Sequence, residues 1–106
     1  MNTSKRRTNW WRGIKAIIRE YPNYINRADK LSCAEKADFE AVKNAISQTK
    51  RLRNGEMRME MIDLVFWKQS HTLSGAAMQF PFCEREVRQW HTDFIRLVGR
   101  NRGLID

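Results

Sequence analysis

Thr72-Leu-Ser-Gly-Ala-Ala-Met-Gln-Phe-Pro-Phe-Cys-Glu-Arg-Glu-Val-Arg-Gln-Trp-His-Thr92 is the stretch on which the reading of this chain turns. Pro81 disfavours helical geometry at the residue before it and has no amide hydrogen to continue a ladder, so the stretch divides at Phe80-Pro-Phe-Cys83 into helix, turn and helix. With Leu73 counted first, Ala77 is fifth, Pro81 ninth, Val87 fifteenth and Trp90 eighteenth, the spacing of a helix-turn-helix. Ala77 is small because the second helix must cross close to it. Val87 and Trp90 point into the core, which leaves Glu84, Arg85, Arg88, Gln89 and Thr92 on the opposite face. These are side chains that can reach base edges in a major groove, with Arg preferring guanine and Gln adenine. A packed helical hairpin that binds nothing would show the same spacing, and the ninth position holds Pro81 where such turns usually carry glycine.

Charge favours the binding reading. Twenty Lys and Arg against twelve Asp and Glu give 106 residues a net charge of +8, a field that attracts polyanions, nucleic acid foremost. The length suits one compact domain, and the 42% apolar content is ordinary for a globular chain.

The rest of the chain reads as helices that support this motif. Residues 1–8 are polar and basic, with Lys5, Arg6 and Arg7 adjacent, and are expected to form a mobile arm that can lie along phosphates. Trp10, Ile14, Ile17, Ile18 and Tyr21 recur at helical intervals, so a first helix is expected after Thr8, ending at Tyr21-Pro22, with Arg12, Lys15 and Arg19 on its other faces. Residues 23–31 read as a connection with one turn. Ser32 and Glu35 form a capping-box signature that opens a long helix to about Arg53, with Asn54-Gly55 as its stop. Its face of Ala34, Ala37, Ala41, Val42, Ala45, Ile46 and Leu52, rich in small residues, permits close approach by the first helix or a second subunit.

A third helix is expected over Glu56–Gln69, with Met57 and Met61 as core filling. Thr72 is the expected N-cap of the next helix, and Cys83 occupies the cap position of the last. In that last helix Val87, Trp90, Phe94 and Leu97 form the buried stripe, and Gly99 and Gly103 close it and free the tail. Lys68, His71, Thr72, Ser74, Arg96 and Arg100 surround the motif as candidate phosphate contacts. The expected architecture is thus all-α, four to five helices with a C-terminal helix-turn-helix. Residues 9–55 make an N-terminal helical part and residues 56–106 the binding part.

Other chemistry is poorly represented. Cys33 and Cys83 are not at zinc-site spacing with His71 or His91, so no metal or cofactor is expected. No nucleophile, base and orienting group assemble, and no glycine-rich phosphate loop appears, so the chain is not read as an enzyme. The absence of an apolar leader and of a run long enough to span a bilayer suggests a protein of a reducing cytoplasm.

Several features together resemble the small phage and prophage transcription regulators of the ArpU and RinA type, whose C-terminal part is like the promoter-reading fourth region of sigma factors. They are Trp11, Tyr21-Pro22, the polar helix ending before Glu56, and Met61-Ile-Asp-Leu-Val-Phe-Trp-Lys68 leading into Thr72-Leu-Ser-Gly-Ala-Ala77. Val87-Arg-Gln-Trp90, Phe94-Ile95 and Gly103-Leu104 complete the pattern. Pro81, Phe82 and Gly75 depart from it. The resemblance implies a helical regulator of phage late or structural genes that acts on double-stranded DNA in the bacterial cytoplasm, at the nucleoid, with RNA polymerase as a further partner; because a single motif reads few base pairs, a homodimer mate is the other expected partner. Two alternatives share these features: a small terminase-like DNA-packaging subunit that assembles as a ring, and a module that docks on RNA polymerase without DNA specificity of its own.

Overall fold

Ile14, Ile18 and Tyr24, all buried, set the inward side of the first helix, α1 (Thr3–Asn26). The computed structural model of the protein describes the backbone of residues 3–105 and the side chains of residues 10–105. A 3₁₀ turn (Ala28–Lys30) leads to α2 (Cys33–Lys50) and α3 (Gly55–Ile62), whose path continues as a π-helical stretch (Asp63–Trp67). Then come α4 (Leu73–Ala77) and α5 (Glu84–Arg102). The described residues are all-α, with no strand among them. One core joins every helix, from Ile14 and Ile18 through Val42, Met61, Phe66 and Ala77 to Val87, Phe94 and Val98. No helix among the described residues is long and apolar enough to cross a membrane.

The first helix departs from expectation at both ends. Its backbone is helical from Thr3, so the expected arm is helix from Thr3 onward, while Met1, Asn2 and the side chains before Trp10 lie outside the described residues. It also runs through Pro22 to Asn26 instead of stopping at Tyr21-Pro22. Proline at position 22 removes the amide that would donate to the carbonyl of Ile18. That carbonyl is met from elsewhere: the Trp67 indole Nε1–H donates to it at 2.8 Å. A distant side chain thus replaces the missing helical bond, and the helix continues.

This exchange has a measurable signature. Trp67→Phe is expected to destabilise the protein by about 1–3 kcal/mol, because it leaves the Ile18 carbonyl without a donor. In a Pro22→Ala background the restored amide supplies that donor, so the same substitution should cost clearly less. Urea unfolding of the four proteins checks this, and equal costs in both backgrounds would show that the two residues are not coupled.

The capping box of α2 is formed as the sequence implies. The Glu35 amide donates to Ser32 Oγ at 3.2 Å and the Ser32 amide to Glu35 Oε1 at 3.1 Å. The backbone bond from Ser32, followed by Arg27 at 3.0 Å, holds the Glu35 carboxyl below the usual carboxylate range. The alanine face of α2 meets α5 more extensively than any other pair of elements touches, and meets α1 as well. Polar ties fasten that contact. Asn101 Nδ2 donates to the Ala41 carbonyl at 3.1 Å and to Gln48 Oε1 at 2.8 Å, and Arg102 Nε reaches Asp38 Oδ1 at 2.6 Å.

Asn54 and Gly55 divide the work of the corner between α2 and α3. Asn54 takes the left-handed conformation (φ 60°), while Gly55 is buried against the last turn of α2. The third helix does not run evenly to Gln69. It widens at Asp63, where the Lys68 amide reaches the Asp63 carbonyl at 2.8 Å, five residues back, and Gln69 leaves it with φ 51°. The wider turn buries Phe66 while Trp67 faces α1.

Thr72 caps α4 by accepting the Gly75 amide at 3.0 Å. Between α4 and α5 no residue has positive φ, so Pro81 is accommodated without the left-handed position that glycine usually supplies. Phe80 and Phe82 close this connection by packing edge-on against Trp90, at 5.8 and 5.1 Å between ring centroids. Cys83 stands at the cap of α5 but makes no side-chain cap bond, and Glu84 and Glu86 in the first turn suit the helix dipole. The buried stripe of α5 is Val87, Trp90, Phe94, Ile95 and Val98, with Leu97 at its margin.

Gly99 does not close α5. It lies inside the helix where α1 crosses, and a Cβ there would sit 2.8 Å from Ile14 Cδ1. The helix ends at Gly103 (φ 80°). The tail is also not free, because the Leu104 amide returns to the Gly99 carbonyl at 2.8 Å and Ile105 packs beside Gly99.

Candidate nucleic-acid interface

The phase of α5 decides which side chains can meet a partner. With Val87, Trp90, Phe94 and Val98 turned inward and about 3.6 residues per turn, the outward ridge carries Arg85, Gln89, Thr92 and Arg96. Arg85 and Arg96 are exposed and make no hydrogen bond or ion pair among the described residues. They are the readily available cations of this face. Thr92 is half-buried.

The remaining candidates are engaged. Arg88 bridges the two helices, donating from Nε to Glu84 Oε2 at 2.8 Å and from Nη2 to Ser74 Oγ at 2.6 Å. Its guanidinium holds the Glu84 carboxyl below the usual carboxylate range. Gln89 Nε2 donates to Asp93 Oδ1 at 2.8 Å, and Asp93 in turn pairs with Arg58 at 3.3 Å. Glu84, Arg88 and Gln89 must therefore exchange internal partners before they contact anything else. Ala77, Val87 and Trp90 are buried where α4 packs on α5, the place their spacing indicated.

Of the candidate phosphate contacts, Arg96 lies on the outward ridge and Arg100 is exposed one turn further along. Lys68 is paired with Asp63 at 3.3 Å. The His71 Nδ1 is 2.8 Å from Ser70 Oγ. The Thr72 oxygen is engaged as a cap and Ser74 holds Arg88. These last four sit at the α4 end of the motif, apart from the outer part of the ridge.

Residues remote in sequence complete the surroundings. His91 is stacked on Phe66, 5.2 Å between centroids and 9° between planes. Burial first, then the charges of Lys15, Arg88 and Arg19, push its imidazole down to about 4. The charges of Lys15 and Arg19 thus reach His91 from α1, on one flank of α5. On the other flank the α2–α3 corner brings Arg53 into an open cleft with Arg58, Phe82, Glu86 and Gln89. Arg58 fastens that side: its Nε donates to the Arg53 carbonyl at 3.0 Å, and its guanidinium lies 5.8 Å above the Trp90 ring. None of these flanking residues stands out in the sequence. The four-residue spacing of Lys15 and Arg19, parallel to Ile14 and Ile18, is the available signal for the first pair.

Among the described residues no three His, Cys, Asp or Glu side chains converge as a metal site, and Cys33 and Cys83 are exposed thiols. No family model, curated protein or solved structure matches the chain.

Proposed function

We propose that this protein is a sequence-specific, duplex DNA-binding transcriptional regulator of phage or prophage origin that reads the major groove with α5, beginning near Glu84. The observation that carries the reading is the outward ridge of α5, held at fixed phase by its buried stripe and presenting Arg85 and Arg96, unpaired among the described residues, with Gln89 and Thr92 between them. A +8 chain directs that ridge toward a polyanion. The resemblance to ArpU- and RinA-type regulators agrees with it, with α4, the connection over 78–83 and α5 as the helix-turn-helix. A single motif of this kind reads few base pairs, so a homodimer mate or RNA polymerase is the expected partner on DNA.

Arg85 is the side chain to test. Without a partner among the described residues and at the start of the ridge, it is placed to donate twice to a guanine edge. Arg85→Ala is expected to weaken binding at a preferred site about ten- to a hundredfold while leaving affinity for random duplex nearly unchanged. Fluorescence anisotropy on the two duplexes measures the difference. An equal loss on both would show that Arg85 touches only phosphate, and no duplex binding by the wild type would overturn the reading itself.

A further inference from the structure

We infer that the protein grips both phosphate ridges of one major groove, with Lys15 and Arg19 of α1 on one side of α5 and Arg51 and Arg53 of the α2–α3 corner on the other. This rests on the reading of α5 as the groove-entering helix. A major groove is about 12 Å wide and a helix with its side chains about 10–12 Å across, so a helix laid in the groove has a phosphate ridge close on each side. The two flanks of α5 are built to match.

On the first flank α1 packs on α5 at the Gly99 crossing, where a Cβ would come within 2.8 Å of the Ile14 Cδ1. Lys15 follows Ile14 directly and Arg19 follows the buried Ile18 one turn on, so both lie on the part of α1 that packs toward α5, where their charges disfavour protonation of His91. Arg19 is exposed and Lys15 half-buried.

On the second flank Arg53 shares the cleft that Glu86 and Gln89 of α5 line, and Arg51 is exposed two residues earlier. The corner is held in place by the Arg58 bond to the Arg53 carbonyl and by the close seat of Gly55 on α2. Acidic groups are present here as well. Asp93 is paired with Arg58 and accepts a hydrogen bond from Gln89, and Glu86 also lines the cleft. A backbone ridge passing this corner would meet Arg53, which lines the cleft, and the exposed Arg51. The outward ridge of α5 lies between the two flanks, since the charges of Lys15 and Arg19 reach His91 on one side and Gln89 lines the cleft of the corner on the other. Phosphate contacts on both sides would fix the angle and depth of α5 in the groove without reading sequence themselves.

The test uses the full chain and compares the salt dependence of duplex binding. Each phosphate neutralised contributes about 0.9 to the slope of log K against log salt. The double variants Lys15→Gln/Arg19→Gln and Arg51→Gln/Arg53→Gln are each expected to lower that slope by about 1–2 and to keep the preferred sequence. Lys36→Gln/Lys43→Gln removes the same charge from the face of α2 turned away from α5 and is expected to leave the slope as in the wild type. Circular dichroism of each variant establishes that it is folded. A slope lowered by only one flanking pair, by neither, or equally by the Lys36/Lys43 pair overturns the two-sided grip while leaving the groove-reading helix standing. Absence of duplex binding by the wild type overturns both together.

Discussion

Gly55→Ala is expected to destabilise the protein by about 3–5 kcal/mol, far beyond the few tenths typical of a surface change. The Cβ it introduces would lie 2.5 Å from the Lys50 carbonyl oxygen and 2.6 Å from that of Thr49, with the Lys50 carbonyl carbon at 2.8 Å. These are backbone atoms in the last turn of α2, so no side-chain rotation relieves the overlap. Relief requires α3 to lift from α2, which separates Arg58 from Asp93 and Trp90 and loosens the support of α5. For a domain of this size the loss corresponds to a fall in melting temperature of roughly 10–25 °C. Gly13→Ala is the comparison. Nothing lies within 4 Å of its Cβ position and its φ is not positive, so alanine there should stabilise α1 by up to about 1 kcal/mol. Thermal unfolding of the two variants measures both. Gly55→Ala melting within a few degrees of the wild type would contradict the tight α2–α3 seat.

Phe66→Ala is expected to cost a comparable amount, about 3–5 kcal/mol, because it empties a fully buried aromatic site in the middle of the core. It also alters how stability depends on pH. The stacked ring is part of what keeps water from His91, whose folded value of about 4 lies below the ordinary 6.5. The unfolded chain therefore binds that proton more readily than the folded one. The stabilisation linked to His91 is fully present above pH 6.5 and is lost as pH falls from 6.5 toward 4. Discounted for the partial exposure of the imidazole, the wild type should lose on the order of 1 kcal/mol from this group between pH 7 and pH 5. With Phe66 removed, water reaches His91, its folded value rises toward the ordinary one, and the drop should shrink. Urea titrations of both proteins at pH 7 and pH 5 measure this. An identical drop in both would mean that Phe66 is not what keeps His91 neutral.

What the sequence discloses about this fold is what is decided locally. Ser32 with Glu35, and Thr72 with the amide of Gly75, are closed within one helical turn, and their residue types announce them. The phase of α5 is equally legible, because Val87, Trp90 and Phe94 fix one buried side and leave Arg85 and Arg96 on the other.

The misreadings have a common cause. Pro22 reads as a stop because the indole that satisfies Ile18 comes from Trp67, forty-nine positions along the chain. The five-residue π stretch is too short for its wider period to be told from an ordinary helix. Gly99 resembles a terminator until α1 is laid across it. Lys15, Arg19 and Arg53 look like a solvated basic background, and only packing sets them on the flanks of α5. The internal pairing of Arg88 with Glu84 and Ser74 is likewise invisible in spacing, although all three stand among the candidate contacts.

The claim that α5 reads sequence in a major groove is tested most directly by selecting bound duplexes from a random library, with wild type and Arg85→Ala/Arg88→Ala side by side at about physiological salt. The expected result is a defined motif enriched by the wild type and lost by the double variant, with two half-sites about one helical turn apart if the protein binds as a dimer. No enrichment by the wild type, with weak binding that falls steeply as salt rises, would contradict the claim and leave only the attraction of a +8 chain for any polyanion.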